Sequence, residues 1–365
     1  SVAEHSTTSL SLSFTFLSFS LPSMFFNDLI YRLIYVFIYY ISLILKSQVK
    51  LRKDFMITKE QVKQYLQEGY TIVENVFGDN ELDPVLNEFE EIVNDLAERA
   101  FLHKKIKNKY ENENVFKRLA KIESEFQGAS VLIHHKGELK PNLAKLWGSK
   151  KLLDIVENWV GPDISGHPVW NIRSKTPNTV RMTVPWHQDS AYLVEGAEKT
   201  IQPAAWIPFL DVNKKNGCMQ VVKGGHKSGK IFKHKLESKT GIKDSWYLYI
   251  DDAEIEQDDI ITCEMKKGSI LFLHQLVPHR SLENLSDEVR WSVDLRFQNP
   301  LDEAGFHTGL VAPIIMRKAS EPDYIPDWDS WFKGYEKEHT KFRGRSEKDE
   351  FDSTLEGAWL KRWDT

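Results

Sequence analysis

Apolar residues recur at steps of three and four between residues 79 and 100, which is the spacing that places side chains on one face of an α-helix. Thr58, followed three residues later by Gln61, has the pattern of a capping box and predicts a helix from residue 58 to residue 66. Residues 143–160 predict a further pair of helices, which Gly161 and Pro162 end. The buried stripe of the helix over residues 79–100 is predicted to contain Leu82, Val85, Leu86, Phe89, Ile92, Val93 and Leu96.

Short apolar runs typical of β-strands dominate the chain beyond residue 161. Turn signals separate these runs at Asn216-Gly217, Gly224-Gly225 and Gly268, and close spacing of this kind favours a sandwich or barrel over a parallel α/β sheet. We therefore predict a mainly β protein with flanking helices, built as a jelly roll with helices against one sheet, and with residues 326–365 covering its surface. The predicted strands are residues 69–73, 169–172, 180–184, 204–210, 219–222, 260–264, 269–273 and 289–297.

Residues 1–55 differ from the rest of the chain, so the folded domain is predicted to span residues 56–365. An apolar run over residues 29–45 precedes a basic cluster that ends at Lys53, and the run is shorter than the roughly 20 residues of a spanning helix. Because Met56 opens directly into a helix signal, we interpret the segment as translated upstream sequence. A membrane anchor through residues 24–46 and a signal or transit peptide are the alternatives.

Composition is that of a globular protein, with 41% hydrophobic and 28% charged residues. The net charge of −5 gives no reason to expect a nucleic-acid partner, and a membrane partner is expected only if the N-terminal segment belongs to the protein. Cys218 and Cys263 are the two cysteines, and they are too far apart in sequence to form a cysteine zinc motif. A reducing compartment, the cytoplasm, is therefore predicted.

Three residues are candidates for a metal site. His187 and Asp189 would point to the same face of a strand, and His279, about ninety residues further on, would supply a third ligand. Two imidazoles and one carboxylate leave coordination positions open, which is the arrangement used by non-haem Fe(II) oxygenases. The alternative is a surface strand whose His and Asp face solvent. His274 competes with His279, but it stands mid-strand and suits a core role better.

The segment from Arg290 to Phe297 alternates cleanly between polar and apolar residues. One face carries Arg290, Ser292, Asp294 and Arg296, and the other face must meet an apolar core. If the polar face lines a barrel interior, Arg290 can bind a carboxylate with two hydrogen bonds. Arg296 is the competing carboxylate ligand, and an edge strand with a solvated polar face is the alternative.

These residues resemble the phytanoyl-CoA dioxygenase family. The resemblance consists of His187-x-Asp189, then His274-x-x-x-x-His279-x-Ser281-x-x-Asn284, and then Arg290 eleven residues after His279. The stretch from Asn216 to His226 is similar to the family's Asn-Gly and Gly-Ser-His stretch, with Gly225 in place of the serine.

The resemblance implies a double-stranded β-helix core, cupin-like, over the domain at residues 56–365. It implies Fe(II) held by His187, Asp189 and His279, and 2-oxoglutarate whose distal carboxylate pairs with Arg290. Ser281 and Trp206 correspond to further 2-oxoglutarate contacts, Trp206 with an offset of one residue.

The implied reaction uses O2 to hydroxylate a small organic or acyl-type substrate, with release of succinate and CO2 and with ascorbate as a further candidate cofactor. Asp189 favours hydroxylation, because related halogenases carry a small residue at its position. Arg280 replaces a common glycine and is expected to place a cation beside the iron. The alternatives are a non-catalytic, metal-binding protein of the cupin type and an oxygenase of the same fold that acts on a small amine or amino acid instead of a thioester.

Overall fold

The computed structural model describes residues 57–236, 247–307, 312–342, 350–353 and 359–363. The predictions for residues 1–55, including an anchor at 24–46, fall outside these ranges. Within them, every helix is too short or too polar to cross a lipid bilayer. The helices are α1 (Lys59–Glu68), α2 (Asp79–Leu102), α3 (Val115–Glu125), α4 (Ala129–Lys136), α5 (Pro141–Trp147), α6 (Lys150–Val160), α7 (Trp328–Phe342) and α8 (Trp359–Arg362).

The strands of the described residues form two sheets and a small hairpin. The strands are β1 (Tyr70–Val73), β2 (Ile164–Gly166), β3 (Asn171–Lys175), β4 (Ala204–Pro208), β5 (Met219–Val222), β6 (Lys235–Leu236), β7 (Leu248–Tyr249), β8 (Ile260–Cys263), β9 (Ile270–Leu273), β10 (His279–Ser281), β11 (Arg290–Gln298) and β12 (Ile314–Arg317). The larger sheet has the order β1-β9-β4-β11-β2-β12, with β3 also paired to β11, and the smaller sheet has the order β10-β5-β8.

Local signals explain where the first helices begin and end. The Thr58 hydroxyl accepts a hydrogen bond from the Gln61 N–H at 3.1 Å, and the Gln61 side chain accepts one from the Thr58 N–H at 2.9 Å, as the predicted capping box requires. Gly69 ends α1 in the left-handed conformation with φ of 83°. The predicted stripe of α2 is buried, from Leu82 to Leu96. These predictions are therefore confirmed.

The two faces of the larger sheet meet different apolar clusters. Ile270 and Phe272 of β9 pack into the main core, whereas Leu271 and Leu273 point into a second cluster that also contains Trp206 of β4. This alternation follows from the two-residue period of a strand. The main core contains residues of α2 and α6 as well, so the helices cover one face of the larger sheet. The opposite face looks into the interior between the sheets, where Met219 and Val221 of β5 belong to the same second cluster.

The predicted fold class, mainly β with flanking helices and a jelly-roll core, is confirmed, although the larger sheet does not close on itself. The strand predicted at residues 180–184 is wrong. Val180–Met182 form a short 3-10 helix instead, next to Asn178 in the left-handed region with φ of 53°. A left-handed residue at this point interrupts the extended backbone that a strand needs.

Candidate active site

His187 and His279 are brought together by a backbone bridge between distant parts of the chain. The His187 N–H donates to the His279 carbonyl at 3.0 Å, and the His279 N–H donates to the His187 carbonyl at 2.9 Å. The two residues therefore lie directly opposite each other, and their rings are 4.2 Å apart between centroids. His279 lies in β10 and is positioned by the pairing of this strand with β5, in which His279 lies opposite Val221.

Each imidazole is oriented by a carbonyl of its own segment. The Nδ1 atom of His187 lies 2.9 Å from the Pro185 carbonyl, and that of His279 lies 2.9 Å from the Val277 carbonyl. A carbonyl oxygen only accepts, so Nδ1 carries the proton and Nε2 presents its lone pair to the interior. Burial, and then the neighbouring His279, lower the pKa of His187 well below its usual value, which keeps this ring neutral.

Asp189 faces both imidazoles, but it does not stand on a strand as predicted. It begins the short 3-10 helix Asp189–Tyr192, directly after the bridge at His187. Its Oδ1 atom lies 3.8 Å from the Nε2 atom of His187 and 3.8 Å from that of His279. The convergence therefore comes from a turn, and not from the period of an extended strand.

Arg296 supplies a counter-charge to Asp189. The Arg296 Nε–H donates to Asp189 Oδ2 at 3.0 Å, and its Nη2–H donates to Oδ1 at 2.7 Å. Burial opposes ionisation of Asp189, but Arg296 and the two imidazoles bring its pKa below the usual range. Arg296 thus binds a carboxylate of the protein itself.

The three candidate ligand atoms lie within 4.8 Å of one another, and all three residues are buried. Two ligand bonds of about 2.1 Å to one ion span at most about 4.2 Å, and the separations of Asp189 Oδ1 from the two Nε2 atoms, 3.8 Å each, fall within this span. Two imidazole nitrogens and one carboxylate oxygen suit a divalent transition metal and leave positions open for other ligands. The donor set therefore fits the metal that the sequence pattern predicted.

Arg290 lies buried in the interior between the sheets, with 3% of its surface exposed. Its Nη1–H donates to the Ser292 hydroxyl at 2.7 Å, and its guanidinium lies 5.1 Å from the centre of the Trp206 ring. Its Nε–H is buried and has no hydrogen-bond partner among the described residues. Burial lowers the pKa of Arg290 to about 10, so the group stays positively charged at neutral pH. Such a group suits an anionic ligand.

Ser281 shares the inward face of β10 with His279, because the two residues are separated by two positions. Its hydroxyl accepts a hydrogen bond from the Val184 N–H at 3.1 Å. Arg280, between them, points the other way: its Nε–H donates to Gln220 and its guanidinium lies 4.6 Å from the centre of the Trp186 ring. The expectation that Arg280 places a cation beside the metal is therefore wrong.

Lys175, which no pattern in the sequence singles out, is the cross-strand neighbour of Arg290. Its side chain is 1% exposed, and its ammonium donates to the Leu282 carbonyl and to the Thr183 hydroxyl. Burial and then Arg290 lower the pKa of Lys175 well below its usual value. A lysine followed by Thr-Pro gives no local signal of this position, so only the pairing of β3 with β11 reveals it.

A pocket opens beside His187 and Asp189. Six aromatic residues from separate segments contribute to its wall, and the Tyr192 and His187 rings meet edge to face with centroids 5.7 Å apart. Trp359 lines the pocket, and residues that follow it in the chain are bonded to the segment after Asp189: Arg362 donates to the Ser190 carbonyl at 3.2 Å and Trp363 to the Ala191 carbonyl at 3.0 Å. The aromatic residues lining the pocket are Trp170, Tyr192, Tyr247, Phe306, Tyr335 and Trp359.

A mainly β fold that gathers two histidines, one aspartate and a nearby buried arginine defines a class of protein, the non-haem Fe(II)- and 2-oxoglutarate-dependent oxygenases. Comparison with known proteins gives the family. The family model for phytanoyl-CoA dioxygenase (PhyH) matches residues 65–292, which is more than half of the chain. The chain therefore belongs to the phytanoyl-CoA dioxygenase family and is a 2-oxoglutarate-dependent dioxygenase.

Individual relatives agree with this family. A probable phytanoyl-CoA dioxygenase of Caenorhabditis elegans is 26% identical over 264 residues, which are 68% of this chain and 77% of the relative. The peroxisomal phytanoyl-CoA dioxygenase of Homo sapiens is 26% identical over 246 residues, covering 66% of this chain and 68% of the relative. The apo structure of a non-heme monooxygenase, ThoJ, is similar in fold, with a TM-score of 0.51, 16% identity, and coverage of 77% of this chain and 98% of that chain. The predicted family and enzyme class are confirmed.

Proposed function

We propose that His187, Asp189 and His279 hold Fe(II), and that Arg290, with Ser281 and Trp206, binds 2-oxoglutarate. The observation that carries this proposal is the meeting of three buried donors within 4.8 Å, two of them imidazoles whose Nε2 atoms are left available. The alternative of a surface strand whose His and Asp face solvent does not agree with the burial of all three groups.

The surroundings of Arg290 support its role toward the co-substrate. A dicarboxylate needs one end near the metal and the other on a cation, and Arg290 stands on β11 between β3 and β4, inside the same fold. Its buried Nε–H lacks a partner among the described residues, and a carboxylate would satisfy it. Trp206 lies against the guanidinium, so it would fix the plane in which Arg290 meets a carboxylate.

When bound, Fe(II), 2-oxoglutarate and O2 together supply an oxidation that converts a substrate C–H into C–OH and yields succinate and CO2. The protein's contribution is geometric. The two backbone-anchored imidazoles and the Arg296-paired Asp189 occupy one side of the site, so the opposite side stays open. Aromatic walls exclude water from the reacting atoms. Ascorbate enters the proposal only as a reductant that keeps the iron ferrous.

We also propose that the substrate is a small molecule and that the protein is located in the cytoplasm. Cys218 and Cys263 are both free and buried, which suits a reducing compartment. The human relative is named as peroxisomal, and that location is the alternative for this protein.

The test is an anaerobic titration of the purified protein with Fe(II) and 2-oxoglutarate. We expect a visible charge-transfer band from the chelate, and we expect His187→Ala to lose both the band and succinate formation. Arg290→Ala should keep the metal but weaken 2-oxoglutarate binding about 30-fold or more, because a buried charged partner is removed. His274→Gln is the matched control, since it alters a partly buried histidine outside the three candidate ligands. Undiminished turnover in His187→Ala would refute the assignment.

A further inference from the structure

The pocket beside Asp189 contains two arginines, and each of them already has a carboxylate of the protein as its partner. Arg296 binds Asp189, and the Arg173 Nε–H donates to Asp294 Oδ2 at 2.6 Å. The side chains of Arg173 and Asp294 are 15% and 13% exposed, so their pair is largely removed from solvent. An anionic substrate group would have to compete with these carboxylates. The pocket is consequently close to neutral although it contains two guanidinium groups.

Two amide side chains of the lining are likewise engaged with the protein. The Gln275 side chain donates to the Thr200 carbonyl and accepts from the Gln202 N–H at 3.2 Å. The Gln202 side chain donates to the Ala304 carbonyl at 3.2 Å. Because both side chains form hydrogen bonds within the protein, few of their donors and acceptors remain for a substrate. The rest of the wall is rich in aromatic rings, whose faces favour apolar contact.

From this lining we infer that the pocket selects substrates whose part next to the metal is neutral and apolar, and that a carboxylate or phosphate at that place is rejected because both arginines are already paired. This inference rests on the proposed function only for the statement that the pocket is the substrate site. The inference predicts that substrate specificity depends on Asp294, because its carboxylate is the partner of Arg173. The hydrogen bond of Asp294 goes to Arg173, and not to any of the three candidate metal ligands. Asp294 thereby becomes a specificity-determining residue.

The experiment compares two ligands of nearly the same shape and different charge, cyclohexanecarboxamide and cyclohexanecarboxylate. Trp170 and Trp359 line the pocket, so binding can be followed by tryptophan fluorescence in the metal-free full chain. We expect the wild-type protein to bind the amide at least about tenfold more tightly than the carboxylate. In Asp294→Asn, which removes the carboxylate from Arg173, the ratio should shift toward the carboxylate by about tenfold, as a hydrogen bond to a charged group would give.

The double variant Arg173→Gln/Asp294→Asn is the matched control, because it removes both charges together and should restore the wild-type preference. Equal or tighter binding of the carboxylate to the wild-type protein would overturn the inference, as would binding of neither ligand. An unchanged ratio in Asp294→Asn would overturn it too. The titration requires no metal and no turnover, so its failure is distinguishable from failure of the iron and 2-oxoglutarate assignment.

Discussion

Replacing Arg296 by methionine removes the positive partner of Asp189 and keeps a long side chain in its place. In the structure the two residues share two hydrogen bonds, and their side chains are 9% and 8% exposed. The variant therefore leaves a carboxylate buried beside two imidazoles without the cation that faces it. We expect a large loss of stability in the metal-free protein.

The magnitude follows from the burial of the pair. Removing one partner of a buried ion pair costs about 3–5 kcal/mol, because the remaining charge is left uncompensated. Domains of this kind are stable by about 5–15 kcal/mol in total, so the loss is a substantial fraction of the free energy of unfolding. A divalent metal at the site would restore a positive charge beside Asp189. The loss should therefore be smaller when metal is bound than when it is absent.

Urea unfolding with and without saturating Mn(II) measures both quantities. Arg173→Met is the matched control, because it breaks the other buried arginine–aspartate pair of the pocket, whose carboxylate on Asp294 is not a candidate ligand. We expect Mn(II) to reduce the difference in the free energy of unfolding between wild type and Arg296→Met. The corresponding difference for Arg173→Met should be the same with and without Mn(II). A loss below about 1 kcal/mol in Arg296→Met, or an equal response to Mn(II) in both variants, would refute the reasoning.

Two further predictions concern stability. Gly268→Ala should destabilise the fold by about 2–5 kcal/mol, because Gly268 has φ of +86° and a Cβ there would lie 2.1 Å from the Phe77 carbonyl oxygen. Gly196 has φ of +96° and open space around it, so Gly196→Ala should lower the free energy of unfolding by only about 1–2 kcal/mol. Urea unfolding measures both losses, and similar values for the two variants would contradict this account. The free energy of unfolding should also fall as the pH drops below 6.5, because burial lowers the pKa of His167 from 6.5 to about 4 and that of His274 to about 3. In this window the unfolded chain binds protons that the native state excludes, so each histidine contributes a slope of about 1.4 kcal/mol per pH unit; equal stability at pH 7 and pH 5 would argue against it.

Local patterns in the sequence were sufficient for α1, α2, α5 and α6 and for most strands, but they did not predict α3 or α4. The steps of three and four in α2, the capping box at Thr58 and the alternation of β11 are properties of neighbouring residues, and the structure has each of them. Such patterns report only which face of an element is apolar. For this reason they predicted that Arg290 and Arg296 lie on one face of β11, but not which carboxylate each of them would meet.

The sequence alone also identified His187, Asp189 and His279 as the set that could bind one metal ion, because their residue types and their resemblance to a family do not depend on coordinates. Only the tertiary structure decided how they meet: through a backbone bridge between His187 and His279 and a turn at Asp189. It also decided that Arg296 neutralises Asp189 and that Trp359, from near the C-terminus, lines the pocket. These contacts join residues far apart in the chain, and long-range packing, which no local periodicity encodes, determines which of them form.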